Sequence, residues 1–133
     1  MTLDNLRAEI RWAVEAAQEK QAVDITVLKL TGAFAEYFLL CSGQSTPQLQ
    51  AISDAIEEKL GREHVRLAHR EGKIGSEWVL LDFSSFVVHI FSDRARQFYD
   101  LERLWRTAER VDFPASERPE KPRDESEGGT TEA

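Results

Sequence analysis

With 133 residues, 41% of them hydrophobic, the chain makes one domain that can bury a core without a metal or a disulfide to hold it. Its single cysteine, Cys41, excludes an internal disulfide framework, and no CxxC or cysteine–histidine cluster offers a zinc site. A net charge of −7 is repelled by phosphate backbones and attracted to basic protein surfaces, which sets a direct nucleic-acid binder aside.

No apolar run approaches the roughly 20 residues of a membrane span, and the N-terminus has no signal-peptide core, so a soluble, cytoplasmic protein with no membrane partner is expected. Leu3, Leu6, Ile10, Val14 and Ala17 recur at helical spacing and predict an amphipathic helix over roughly residues 3–21. Trp12 falls on the opposite face, where it either packs under a neighbouring element or anchors a subunit contact. Ile25, Val27, Leu28 and Leu30 predict a strand from Asp24 to Thr31, closed by a turn at Gly32. Tyr37-Phe38-Leu39-Leu40-Cys41 is a continuous apolar run of strand length, as a central strand buried on both faces requires. Within it Cys41 is a small hydrophobe, since nothing nearby in sequence would lower its pKa.

Ser42-Gly43-Gln44-Ser45-Thr46-Pro47 then turns the chain into a helix. Ser45 or Thr46 can cap it, Pro47 suits its first turn, and Gly61 fits the left-handed position after its end. Leu49, Ile52, Ile56 and Leu60 supply its buried stripe. A strand, a small-residue loop and a capped helix also describe many phosphate sites. Here neither a P-loop nor a GxGxxG signature is present, so the loop is read as a structural turn. His64 to His69, with Val65 and Leu67 alternating, predicts a third strand. His64, His69 and His89 lack the spacing of a metal site and are read as surface or internally satisfied histidines. Arg70 to Glu77, with two glycines and several charges, reads as a solvent loop.

Two runs rich in β-branched and aromatic residues, Trp78 to Phe83 and Phe86 to Phe91, flank Ser84-Ser85 and predict a tight hairpin. A two-residue loop sets Phe83 opposite Phe86, Asp82 opposite Val87, Leu80 opposite His89 and Trp78 opposite Phe91. One face then carries Val79, Leu81, Phe83, Phe86, Val88 and Ile90 and must be core. The other carries Trp78, Leu80, Asp82, Val87, His89 and Phe91, which is either a second buried layer or a docking surface. Ser92 can cap a last helix with a stripe of Phe98, Leu101, Trp105 and Ala108. Its outer side mixes Arg94, Arg96, Arg103, Arg106 and Arg110 with Asp100, Glu102 and Glu109, the usual make-up of a solvated face. From Pro114 on, six acids and three bases stand among Pro, Ser, Gly and Thr. A domain over 1–113 and a disordered acidic tail over 114–133 are expected.

The fold expected is α/β in the order α-β-β-α-β-β-β-α: a small mixed five-stranded sheet with packed helices, parallel across the helical crossover and antiparallel at the hairpin. Asp82 and His89 share a hairpin face, and a carboxylate beside an imidazole could orient a general base. No nucleophile or second carboxylate is placed with them, and Glu77 would have to come from a loop. They are read as a polar pair supporting each other, with no catalytic residue, cofactor or metal expected.

Several segments match one family in order: Glu36 to Ser45, Glu71-Gly72, Trp78 to Phe83 with Val87 to Phe91, and Ala95 to Trp105. Through them the chain closely resembles the ribosomal silencing factor family, also called Iojap-like, over about residues 3–107. The resemblance implies a shape related to nucleotidyltransferases and a homodimer when free. It implies binding to the large ribosomal subunit through ribosomal protein fourteen, on the face that meets the small subunit. Occupying that face blocks subunit joining and turns translation down when nutrients are short. It implies no catalysis and no cofactor. Nucleotidyltransferases carry a Gly-Ser signature and a following Asp-x-Asp or Asp-x-Glu pair. Here Ser42-Gly43 is only superficially similar and the pair is missing, so metal-assisted transfer lacks its ligands. A nucleotide-handling enzyme is the alternative reading, and a dimeric adaptor for another partner is the third. Two positions depart from the family: Ser84 stands where glycine is usual, which strains a tight turn, and Glu36 replaces the usual aspartate. An acidic factor docking on a basic ribosomal protein needs an apolar anchor with charge around it. Trp78 is that anchor on this reading, with Asp82, Phe83, Ser84 and Ser85 completing the patch.

Overall fold

In the computed structural model, which describes residues 6–30 and 35–114, the chain folds around a mixed six-stranded sheet. The elements are α1 (Ala8–Glu19), β1 (Val23–Lys29), β2 (Tyr37–Gly43), α2 (Thr46–Arg62), β3 (His69–Glu71), β4 (Trp78–Asp82), β5 (Phe86–Ser92), α3 (Asp93–Tyr99), α4 (Leu101–Leu104) and β6 (Glu109–Phe113). The strand order is β3-β4-β5-β2-β1-β6, with β2 and β5 the parallel pair at the centre and every other pairing antiparallel. The expected start of the first helix at Leu3, the turn at Gly32 and the tail from residue 115 lie outside the described residues.

The helical crossover is present, but it returns the chain at β5, not at β3. After α2 the chain makes β3 and β4 first, and β5 then runs parallel to β2 from Tyr37 opposite Phe86 to Gly43 opposite Ser92. Five strands were expected and six are found among the described residues. The sixth is β6, which pairs with β1 and alternates weakly over five residues, with Val111 and Phe113 half-buried between charged neighbours. So short an edge strand carries little periodic signal beside the helical spacing just before it.

Two more boundaries moved because backbone stops override side-chain periodicity. The second helix ends not at Gly61 but one turn-cap later, where His64 takes the left-handed conformation (φ 64°). The His64 N–H donates to Gly61 O and the Val65 N–H to Leu60 O, closing a Schellman cap that tucks Val65 onto the core. That cap displaces the third strand to His69–Glu71, which keeps only His69 of the expected strand and runs into what reads as a loop. The last helix breaks at Asp100 (φ 49°), so the single stripe fails. Phe98 is 79% exposed, while Leu101, Trp105 and Ala108 pack inward.

The sheet separates two unequal cores. On one face α1 and α2 bury Ile10, Ala13, Ala16 and Ala17 with Leu49, Ile52, Ile56 and Leu60 against Ile25, Val27, Leu39, Val79, Leu81, Phe83, Phe86, Val88 and Ile90. Each fully buried Leu or Ile is worth roughly 1.5–3 kcal/mol, so this layer dominates the stability. Trp12 is partly buried against it. On the other face Leu28, Leu30, Leu40, Phe91 and Ala95 form a smaller cluster, edged by Phe38, Trp78 and Trp105.

Candidate functional site

The hairpin forms in the expected register: Trp78 faces Phe91, Leu80 faces His89 and Asp82 faces Val87. Period-two alternation therefore puts Val79 and Leu81 into the main core and leaves Trp78, Leu80 and Asp82 half-buried on the opposite face. The buried members of the smaller cluster come from β1, β2, β5 and α3, with Trp78 of β4 at the edge, so β4 stays half open on this face beside the exposed β3. The hairpin's second face is thus a buried layer on β5 and an accessible one on β4. Leu80 belongs to the accessible layer, a residue the expected patch omitted although its alternation with Trp78 and Asp82 marks it.

Trp78 is held from several sides. Its indole lies 4.4 Å from the Tyr99 ring and 5.1 Å from Phe91, and its Nε1–H donates to His89 Nδ1 at 3.1 Å. Behind it Gly72 (φ 107°) comes so close that an added Cβ would sit 2.7 Å from Trp78 O, which explains a glycine at this corner. Beyond Tyr99, Phe98 is met edge-on at 5.0 Å, and Leu104 is 73% exposed nearby in sequence. The Phe38 and Trp105 rings meet edge-on at 6.1 Å on the same sheet face. The aromatic surface is therefore wider than the hairpin alone.

The remaining expected patch residues separate. Asp82 Oδ1 accepts the Ser84 N–H at 2.8 Å, which ties the turn together. Ser84 is exposed with φ 75°, and the Ser85 N–H donates to Phe83 O at 3.0 Å, a three-residue γ-turn. Ser85 O accepts the Glu36 N–H at 2.8 Å, joining the hairpin tip to the start of β2, while the Glu36 carboxylate pairs with Arg7 at 2.7 Å. Phe83 is 5% exposed on the core face with its ring stacked on Phe86, so it presents no surface to a partner.

The polar pair expected of Asp82 and His89 does not form. Asp82 bonds the turn, and His89 accepts from Trp78. His89 is 4% exposed, and burial pushes its pKa down to about 4, so the ring is neutral at ordinary pH. Its Nε2 has no hydrogen-bond partner among the described residues, which corrects the view of a fully satisfied histidine. His64 and His69 are exposed, and His69 pairs with Glu71 at 2.7 Å. Glu77 is engaged by Arg94 and Ser92 Oγ, and the Arg94 hydrogen bond holds its pKa below the ordinary value. Cys41 is fully buried, with its thiol pKa pushed up to about 12.

Nor is Arg96 on a solvated face. Its side chain is 11% exposed, donating to Ser42 Oγ at 3.1 Å, to Asp24 O, and to both oxygens of Glu102 at 3.1 and 3.0 Å. Ser42, beside the loop with the superficial nucleotidyltransferase likeness, is thus tied to a structural guanidinium. Among the described residues no group of three or more His, Cys, Asp or Glu could hold a metal ion, and no helix is long and apolar enough to cross a membrane.

Comparison with known proteins finds the family described as "Ribosomal silencing factor during starvation", matched over residues 3–133. The chain is 36% identical over 111 residues to the ribosomal silencing factor RsfS of Bacillus subtilis (strain 168), covering 82% of this chain and 94% of that one. It is 33% identical over 102 residues to the chloroplastic protein Iojap of Zea mays, covering 75% of this chain and 44% of that longer one. Among solved structures, a protein from Chromobacterium violaceum superposes with a TM-score of 0.71 at 27% identity, covering 90% of this chain and 98% of that one.

Proposed function

The chain belongs to the ribosomal silencing factor family, and from that premise we propose that it binds the large ribosomal subunit through ribosomal protein fourteen and blocks joining of the small subunit. On this reading it represses translation under nutrient limitation, works in the cytoplasm and is a homodimer when free. It acts by occupying a surface and turns over no substrate. Its scaffold, similar in outline to nucleotidyltransferases, serves as a docking platform.

The observation that carries the reading is the open β4 part of the second sheet face, where Trp78 and Leu80 stand half-buried with Asp82 at the turn end. An accessible tryptophan framed by aliphatic and acidic neighbours is what a basic protein surface takes as an anchor. Ser84 and Ser85 form the tip beside it.

Sedimentation of purified subunits tests the function: saturating protein lowers the joined fraction and travels with large subunits. A joined fraction that does not change sinks the proposal. Trp78→Ala should weaken binding to large subunits by more than about tenfold, the scale of a central interface tryptophan. Because Trp78 also packs on Phe91 and Tyr99, the variant melts somewhat earlier. Ile90→Val, which costs about 1 kcal/mol in the core, serves as the control that loses stability and keeps affinity.

A further inference from the structure

We infer that His89 is a positioning residue for the docking face: it fixes the Trp78 indole by taking its N–H inward, so that a partner meets the ring and not the donor. The inference rests on the docking reading above and extends it to a residue that itself touches no partner.

The register makes Trp78 and His89 diagonal neighbours across β4 and β5, a separation that two ring side chains can bridge. Trp78 Nε1–H donates to His89 Nδ1 at 3.1 Å, with the ring centroids 5.8 Å apart. Phe38 meets the imidazole edge-on at 4.6 Å and Phe91 stacks nearly parallel to it at 5.9 Å, so the acceptor cannot swing away. An Nδ1 that accepts carries no proton, so the neutral ring keeps its hydrogen on Nε2. That nitrogen is buried and has no hydrogen-bond partner among the described residues.

An unpartnered buried donor is destabilising, and a phenylalanine would fill this aromatic site without one. Packing therefore does not account for an imidazole here, whereas the acceptor facing Trp78 does. With its N–H committed inward, the half-buried indole offers carbon atoms and no donor to an incoming partner. Such a surface suits the aliphatic stems and guanidinium groups of a basic protein, and it has no donor for a carbonyl or carboxylate at that point.

Hydrogen exchange of the indole N–H groups in the whole wild-type chain tests the bond directly. The Trp78 signal should exchange more slowly than those of Trp12 and Trp105; an equally fast Trp78 overturns the inference. His89→Phe should release that protection and weaken binding to isolated large ribosomal subunits about three- to tenfold, the worth of one orienting hydrogen bond. Its melting temperature should hold or rise, which a merely structural histidine would not allow. His89→Asn, which puts an amide oxygen near the Nδ1 position, should recover slow exchange and part of the affinity. It also carries the test if the phenylalanine variant does not fold. Wild-type affinity in His89→Phe, alongside lost affinity in Trp78→Ala, overturns the positioning role alone. Wild-type affinity in both variants removes the docking reading and the inference together.

Discussion

Ser84 shows how one side chain can sit in a conformation that only a neighbouring group makes tolerable. Its φ of 75° is one that L-residues avoid, and the Asp82 carboxylate holds it there by accepting its N–H at 2.8 Å. Ser84→Gly should relieve the strain and stabilise the protein by about 1 kcal/mol, seen as a melting temperature a few degrees higher. His89 sets a second expectation, in pH. Phe38, Phe91 and Trp78 surround it, and Asp82 on the same face is bonded to the turn. With its folded pKa depressed to about 4, the unfolded chain binds this proton first, so the neutral ring carries no proton-linked cost above about pH 6.5 and the fold loses stability as pH falls toward 4. Denaturant titrations from pH 7 to 4.5 should show that slope in the wild type and a flatter one in His89→Phe. Cys41, buried and raised in pKa, should resist alkylation until the protein unfolds.

At the scale of elements, the short helices and the edge strand hold to the sheet by charge as well as by apolar contact. Arg96 of α3 reaches Ser42 on β2 and Glu102 on α4. Glu102 in turn meets Arg110 of β6 at 3.2 Å, and Asp112 of β6 accepts from Thr26 of β1 at 2.8 Å. Arg96→Met would leave the partly buried Glu102 carboxylate to Arg110 alone and remove the tie from α3 to β2 and α4. A loss of roughly 2–3 kcal/mol in urea unfolding is expected, short of a fully buried pair because Glu102 keeps some solvent. The Arg96 hydrogen bond also lowers the Glu102 pKa, so its contribution is present above about pH 4.5 and lost below it. The variant should therefore show a shallower acid limb below that pH.

For the whole molecule, the proposed docking draws on the −7 charge for encounter more than for grip. An acidic factor and a basic ribosomal protein attract over about one Debye length, which shrinks as salt rises. Association with large subunits should slow as salt is raised from about 0.05 to 0.3 M, while dissociation, set by buried apolar contact at the anchor, changes little. A rapid-mixing series across that range checks it, and a salt-dependent dissociation rate would place the grip in surface ion pairs instead.

Local pattern alone determined a good deal: the two long helices, the central apolar strand, the hairpin with its register, and the split of that hairpin into a core face and a second face. Such features follow from side-chain period and turn chemistry within a dozen residues, and the family motifs were legible for the same reason. The tertiary structure alone decided that β2 pairs with β5 rather than β3, and that Glu109–Phe113 becomes a sixth strand. It also drew Arg96 out of solvent and joined His89 to Trp78 instead of Asp82. Most of these depend on distant partners, as when Asp112 meets Thr26 86 residues away, and no short window of sequence contains both sides of such a contact; the His89–Trp78 bond spans only 11 residues but depends on how the rings pack.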